Sequence, residues 1–84
     1  MEKQIVAIMV DNRSSSALCL QELLTKNGCM IKTRLGIHDG VADSCSQTGL
    51  IILETCGEKE EVADFVKKIN GLKQVKAKSI FLNL

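Results

Sequence analysis

The length and charge of this chain exclude several classes of protein. Its 84 residues carry 11 lysines and arginines against 10 aspartates and glutamates, for a formal net charge of +1 at pH 7. We expect one domain spanning residues 1–84. The balanced charge and the presence of only 2 aromatic residues argue against direct binding of nucleic acid. No apolar run approaches the roughly 20 residues of a membrane span, and the first residues lack a signal-peptide profile, so we expect a cytoplasmic protein.

One pattern occurs twice along the chain. Residues 5–35 run as an apolar stretch, a polar turn, an amphipathic helix and a strand with alternating basic residues, and residues 50–80 repeat that order. Two βαβ units of this size predict an α+β fold, the ferredoxin-like βαββαβ sandwich.

Polarity predicts the order of the four strands. Residues 5–10 and 50–53 are apolar at every position, which is typical of central strands that are covered on both faces. The second and fourth strands alternate and suit the edges of a sheet. Their basic residues, expected on one side, are Lys32, Arg34, Lys76 and Lys78. We therefore expect an antiparallel sheet of order 4-1-3-2 with two helices on one face.

Apolar spacing predicts which side of each helix packs on that sheet. In the second helix the apolar stripe comprises Val62, Phe65, Val66 and Ile69. In the first helix the predicted stripe comprises Ala17, Leu18, Leu20, Leu23 and Leu24. The pairs Asn27-Gly28 and Asn70-Gly71 are expected to supply the positive φ that many helix C-termini need.

The four cysteines match no strong motif. None forms a CxxC pair, so the usual zinc and redox spacings are absent. We expect Cys19, Cys29 and Cys56 to pack as small, largely apolar side chains. A catalytic Cys–His pair would also need an orienting group and an oxyanion hole, so we expect no enzymatic activity.

The predicted sheet has one face that its own helices do not cover. The two central strands also place apolar side chains on that face, and a monomer would leave them in water. A second copy of the chain is the simplest cover, because self-association requires no other gene product. We therefore expect a homodimer or a homotetramer.

The segment between the two repeats, residues 37–48, is rich in polar and reactive side chains. It is long for a hairpin loop and holds the only histidine. Three interpretations stay open. His38 and Cys45 could ligate zinc, nickel or iron, with Asp39 or Asp43 and a symmetry mate completing the shell. Cys45 could be a redox-responsive thiol. The loop could instead be an ordinary solvent-exposed segment, or it could contact another subunit of an oligomer. The sequence identifies no cofactor.

The turn at residues 10–16 leads into the N-terminus of the first helix, where free backbone N–H groups favour anions. A carboxylate or phosphate ligand could bind there at a subunit boundary, or the hydroxyl groups of the turn could cap the helix. The candidate ligand-binding residues are Asp11, Asn12, Arg13, Ser14, Arg34 and His38.

Several runs of residues carry a resemblance to known regulatory proteins. The first half of the chain resembles the opening of ACT domains, through residues 10–13, Leu18, Leu23-Leu24, residues 27–29 and Ile31. The whole chain is similar to iron-only hydrogenase system regulators, which are ACT-like and akin to the C-terminal domain of nickel-responsive repressors. The residues that carry this similarity are 33–38, Cys45-Ser46, 49–53, Gly71-Leu72 and 75–78.

The resemblance implies a non-enzymatic, oligomeric regulatory module that senses a small ligand at subunit interfaces. Ser14-Ser15-Ser16 stands where amino-acid-binding ACT domains usually carry a glycine. The alternative is a metal- or redox-responsive binding protein that uses His38 and Cys45.

Overall fold

The computed structural model describes residues 1–11, 14–38 and 48–84. These residues form a single sheet with two α-helices. The elements in chain order are β1 (Glu2–Asp11), α1 (Ser16–Lys26), a short 3-10 helix (Gly28–Met30), β2 (Ile31–His38), β3 (Thr48–Thr55), α2 (Lys59–Asn70) and β4 (Val75–Asn83).

The sheet is antiparallel and has the strand order β2-β3-β1-β4. This is the predicted order 4-1-3-2 viewed from the other edge, and it confirms the ferredoxin-like βαββαβ arrangement. As the sequence indicates, β1 and β3 are apolar on both faces. They therefore occupy the central positions of the sheet, where both faces are shielded best.

The core lies between the sheet and the two helices. Alternate residues of β1 are buried because successive side chains of a strand point to opposite faces. Phe65 is the largest side chain in this layer and is 2% exposed. The other members are Val6, Ile8, Val10, Leu20, Leu24, Ile51, Leu53, Val62, Ile69 and Val75. Burying each large apolar side chain contributes about 1.5–3 kcal/mol, so this layer supplies most of the stability.

The buried side of α1 is narrower than the sequence pattern predicts. Leu20 and Leu24 are buried, whereas Leu18 is 69% exposed and Cys19 is exposed. An α-helix has 3.6 residues per turn, so neighbouring residues lie at different angles around its axis. Leu18 and Cys19, which directly precede the buried Leu20, therefore point away from the sheet. Cys29 and Cys56 are exposed too. The prediction that Leu18 and these three cysteines are packed in the core is therefore wrong.

The basic residues of the edge strands do not share one side. Lys76 and Lys78 lie on the sheet face away from the helices, but the Arg34 guanidinium donates a hydrogen bond to the Gln21 side chain of α1. A register shift between Ile31 and Thr33 interrupts the pairing of β2 with β3 at Lys32. Such a bulge adds one residue to a strand and changes the alternation, which places Arg34 on the helix side.

The second helix is fixed at both ends by side chains. At its start, the Glu58 backbone N–H donates to Glu61 Oε1 at 3.2 Å, which is half of a capping box. At its end, Asn70 Nδ2 donates to the Ala77 carbonyl at 3.0 Å and the Ala77 N–H donates to Asn70 Oδ1 at 2.8 Å. These paired bonds tie the end of α2 to the edge strand β4.

Positive φ occurs at other residues than those predicted. Asn27 and Gly71 have φ of −104° and −75°, so the prediction for the two Asn-Gly pairs is wrong at these residues. Among the described residues, the positive values belong to Gly57, with φ 121°, and Gln74, with φ 60°. Gly57 turns the chain from β3 into α2, and only glycine adopts its φ at low cost.

Replacing Gly57 should therefore reveal backbone strain. A Cβ at this position would make only ordinary contacts, 3.7 Å from Glu61 Oε1 and 3.8 Å from Met30 Sδ. We expect Gly57→Ala to lower the free energy of unfolding by about 1–3 kcal/mol, measured by urea denaturation. Gly28→Ala is the matched control, because its added Cβ meets nothing within 4 Å. Equal stability losses in the two variants would contradict this account.

Candidate functional site

The sheet face opposite the helices carries exposed or partly exposed apolar side chains from all four strands. The side chains between the core positions of each strand point to this face. Ala7, at its centre, pairs with Ile52 on one side and with Lys78 on the other. We call this surface the open face and define it by its apolar members, which are Ile5, Ala7, Met9, Leu35, Ile37, Leu50, Ile52, Ile80 and Leu82.

The open face is apolar on all four strands. On the edge strands, Leu35 is 54% exposed and Leu82 is 57% exposed, and on the central strand Met9 is 54% exposed. A four-stranded sheet of this length is about 19 Å wide and 28 Å long, which gives a face of roughly 500 Å². The largest apolar patch of a soluble protein is often functional, and this face, which is apolar on all four strands, is a candidate for such a site.

Charged side chains lie around the apolar residues. Lys3 Nζ lies 3.2 Å from Glu54 Oε2, and Lys32 Nζ lies 3.9 Å from the same oxygen, so one corner holds an ion-pair cluster. Along the β4 side of the face, Lys76 and Lys78 form no ion pair with any residue in the described part of the chain. Partly exposed ion pairs contribute only about 0–1 kcal/mol each. An apolar centre with a polar rim is the usual anatomy of a protein interface.

Three of the predicted ligand-binding residues lie at one end of the sheet. Asp11 ends β1, and its carbonyl accepts a hydrogen bond from the Ser14 N–H at 3.0 Å. His38 ends β2 and pairs with Gly49, which pairs with Val10 on its other side. Two strand spacings separate His38 from Val10, or about 10 Å between backbones. The structure therefore brings Asp11, Ser14 and the backbone of His38 to the same region.

A shallow cavity opens at that end of the sheet. Its volume is about 240 Å³. The lining residues are Met9, Val10, Asp11, Thr48, Gln74 and Lys76. Met9 belongs to the open face and Lys76 to its rim, so the cavity adjoins the open face. This volume is below the range of about 300–1,000 Å³ that is usual for small-molecule pockets.

The remaining predicted site residues are not gathered there. Arg34 precedes His38 by four residues on β2, about 13 Å along the strand, and its guanidinium contacts α1 instead. Asn12, Arg13 and Cys45 lie outside the described residues, and the side chain of His38 does too. The metal and redox interpretations of His38 and Cys45 therefore stay predictions. Within residues 1–11, 14–38 and 48–84, no group of three or more His, Cys, Asp or Glu side chains could hold a metal ion.

Gln4 is a structural residue that the sequence analysis did not identify. It is 8% exposed, and its Nε2 donates to the Gly57 carbonyl at 2.9 Å. The Thr55 hydroxyl in turn donates to the Gln4 carbonyl at 3.3 Å. These bonds attach the turn after β3 to the start of β1. In the sequence Gln4 is the last of three polar residues before an apolar run, and nothing there distinguishes it from Glu2 and Lys3.

Comparison with known proteins supports the fold. No protein-family profile and no curated protein matches the chain. An uncharacterized protein from Thermotoga maritima superposes with a TM-score of 0.83 at 20% identity, over 99% of this chain and 100% of that one. CPII, a nitrogen regulatory PII-like protein from Thiomonas intermedia bound to ADP, AMP and bicarbonate, superposes with a TM-score of 0.60 at 12% identity, over 100% of this chain and 96% of that one.

These likenesses show a shared ferredoxin-like fold. The resemblance to iron-only hydrogenase system regulators stays a prediction. In the described residues no helix is long and apolar enough to cross a membrane.

The Ser14 hydroxyl should matter for the start of α1. The Ser16 N–H donates to Ser14 Oγ at 3.1 Å, whereas Ser15 makes no side-chain cap hydrogen bond. We expect Ser14→Ala to lower the free energy of unfolding by about 0.5–2 kcal/mol, as measured in urea. Ser15→Ala serves as the control and should cost much less. A larger loss in the control would show that Ser14 does not cap the helix.

Proposed function

We propose that this protein is a cytoplasmic, non-enzymatic regulatory module whose one domain assembles with copies of itself and binds a small ligand at the subunit boundary. The observation that carries the proposal is the open face, where apolar side chains of all four strands lie uncovered by either helix.

The size of the open face supports self-association. Stable protein interfaces bury about 800 Å² on each partner. The whole face, its charged rim included, spans roughly 500 Å², which is more than half of that area. Two such sheets would pack face to face about 10 Å apart, as in β-sandwiches.

The charge of the chain also suits a second copy as the partner. A net charge of +1 produces little long-range repulsion between identical copies. Small Ala7 lies at the centre of the open face between larger neighbours on β3 and β4, so the surface has a hollow as well as ridges. A surface with both features can interdigitate with itself around a two-fold axis.

The proposed ligand site is the cavity at the end of β1. It adjoins the open face through Met9, so a molecule bound there would contact both subunits of a face-to-face dimer. Lys76 lines it without an ion-pair partner in the described part of the chain, which favours a ligand with a carboxylate or phosphate group. The proposed contacts are Asp11, Ser14 and His38, together with Asn12 and Arg13 of the adjoining turn. That a PII-like regulatory protein with bound nucleotides shares the fold is consistent with this role.

A charge placed at the centre of the open face should separate the subunits. Ile52 is partly buried on β3 and pairs with Ala7. We expect the wild-type chain to sediment as a dimer or tetramer at micromolar concentration. Ile52→Lys should raise the dissociation constant at least tenfold, since a loss of about 1.4 kcal/mol already has this effect.

Leu18→Lys provides the matched control for this experiment. It places the same charge on an apolar residue that is 69% exposed on α1, away from the open face. The control should keep the wild-type oligomeric state, and circular dichroism should show that both variants are folded. A wild-type chain that stays monomeric at 100-fold higher concentration would contradict the proposal.

Ligand binding should depend on Lys76 and not on Lys78. We expect a panel of acetate, bicarbonate, inorganic phosphate and AMP to include a compound that raises the melting temperature. A ligand at 100 times its dissociation constant stabilises the native state by about 2.7 kcal/mol. Lys76→Ala should abolish that rise. Lys78→Ala, which removes a charge outside the cavity lining, should retain it. Equal responses of the two variants would place the ligand elsewhere.

A further inference from the structure

The outer edge of the sheet at β4 is formed by backbone groups that point away from β1. The register of β4 with β1 is unbroken over residues 75–83. Beyond one end of this register the Gln74 carbonyl accepts a hydrogen bond from the Asp11 N–H, and beyond the other end the Leu84 N–H donates to the Met1 carbonyl. Even-numbered residues therefore bond to β1. The bonds of an antiparallel strand alternate between its two sides, so the odd-numbered residues of β4 direct their N–H and carbonyl groups outward.

Only part of this edge is covered. The Asn70 amide occupies the outward groups of Ala77. Within the described part of the chain, nothing pairs with the outward backbone groups of Ser79, Phe81 and Asn83. We call these three residues the open edge. A row of unpaired N–H and carbonyl groups on an edge strand is a template for pairing with another strand.

The side chains along the open edge are mostly apolar and exposed. Ile80 and Leu82, which belong to the open face, are 47% and 57% exposed. Phe81 lies on the helix side and is 39% exposed, with Lys59 Nζ 5.4 Å from the centre of its ring. Proteins usually protect an edge strand with a charged residue, a proline or a bulge, and residues 79–83 contain none of these. This stretch is therefore suited to pairing with another strand.

We infer that the open edge pairs with the open edge of a second copy of the chain, antiparallel and around a two-fold axis at Phe81. In this register Phe81 lies opposite its own counterpart, and Ser79 lies opposite Asn83. Every outward N–H and carbonyl of the open edge then finds a partner. Because Asn70 covers Ala77 and β4 ends at Asn83, this register is the one that uses all three positions on both strands.

The side chains also favour a second copy as the occupant. On the open-face side, Ile80 of each copy lies opposite Leu82 of the other. These are non-hydrogen-bonded pairs, in which the side chains are closest, and such apolar pairs stabilise a sheet. On the helix side, the Ser79 hydroxyl faces the Asn83 amide. No two like charges lie opposite each other within residues 79–83. One short stretch therefore supplies both halves of a complementary strand pair.

This edge contact goes beyond the proposed function, because it is separate from the contact through the open face. Pairing at the edge joins two four-stranded sheets side by side, whereas pairing at the open face stacks them. Since Ile80 and Leu82 belong to the open face, edge pairing makes the open faces of two copies continuous. Two such pairs stacked face to face form a tetramer in which each copy uses both contacts.

The first test is the sedimentation of Phe81→Pro at micromolar concentration. Proline removes the outward N–H of residue 81 and leaves the bonds of β4 to β1 in place. We expect the wild-type chain to be a tetramer and Phe81→Pro to be a dimer, with the dissociation constant of the edge contact raised roughly tenfold or more. Phe81→Val is the matched control. It removes the ring and keeps the N–H, so it should remain a tetramer.

The Ile52→Lys variant separates this inference from the proposed function. Ile52→Lys should also be a dimer, held by the edge contact, and Ile52→Lys/Phe81→Pro should be a monomer. A dimeric wild type with a monomeric Ile52→Lys variant would overturn the edge contact and leave the open-face contact standing. A Phe81→Pro variant that is folded by circular dichroism and still tetrameric would overturn the edge contact as well.

Cysteine crosslinking tests the register without a proline. The background replaces the four native cysteines with serine. Facing residues of a hydrogen-bonded pair have Cα atoms about 5.5 Å apart, within the range of about 4.4–6.8 Å that a disulfide spans. Phe81→Cys should therefore crosslink two copies under mild oxidation. Ser79→Cys is the control, because its two copies would lie about 14 Å apart. Efficient crosslinking of Ser79→Cys, or none of Phe81→Cys, would overturn the proposed pairing.

Discussion

The architecture depends on one constraint: two helices can cover only one face of a four-stranded sheet. The helix side is closed by a continuous core around Phe65, and its side chains alternate along β1 with those of the open face. Because the pleat of a strand has a period of two, the residues that build the core fix which side chains must face the other way. The apolar side chains on that second face therefore cannot join the core, and they form the surface that this side of the molecule presents for contacts.

Much of the fold follows from polarity alone. The central position of β1 and β3 could be predicted because both are apolar on both faces, and the packing side of α2 could be predicted from Val62, Phe65 and Ile69. The errors have local causes. Leu18 has the hydrophobicity of a core residue but the wrong angular position on α1, and Arg34 changes side because of a bulge that no residue type announces.

The candidate site was less predictable than the fold. Residues such as Asp11 and Ser14 come together through turns, and turns have no periodicity from which a contact can be deduced. The cysteines illustrate the same difficulty. Cys29 and Cys56 are far apart in the chain and match no spacing motif, so only the pairing of β2 with β3 brings them near each other. The residue type predicted that Cys29 and Cys56 would be buried, but the fold places both at the surface.

The paired hydrogen bonds between Asn70 and Ala77 have a consequence for the edge of the sheet formed by β4. The Ala77 N–H and carbonyl point away from β1. On an unprotected edge strand such groups are free to pair with an extended segment of another chain. The asparagine amide, which has one donor and one acceptor in the spacing of a peptide group, occupies both. Asn70 therefore keeps another strand from pairing with β4 at Ala77, one position along this exposed edge of the sheet.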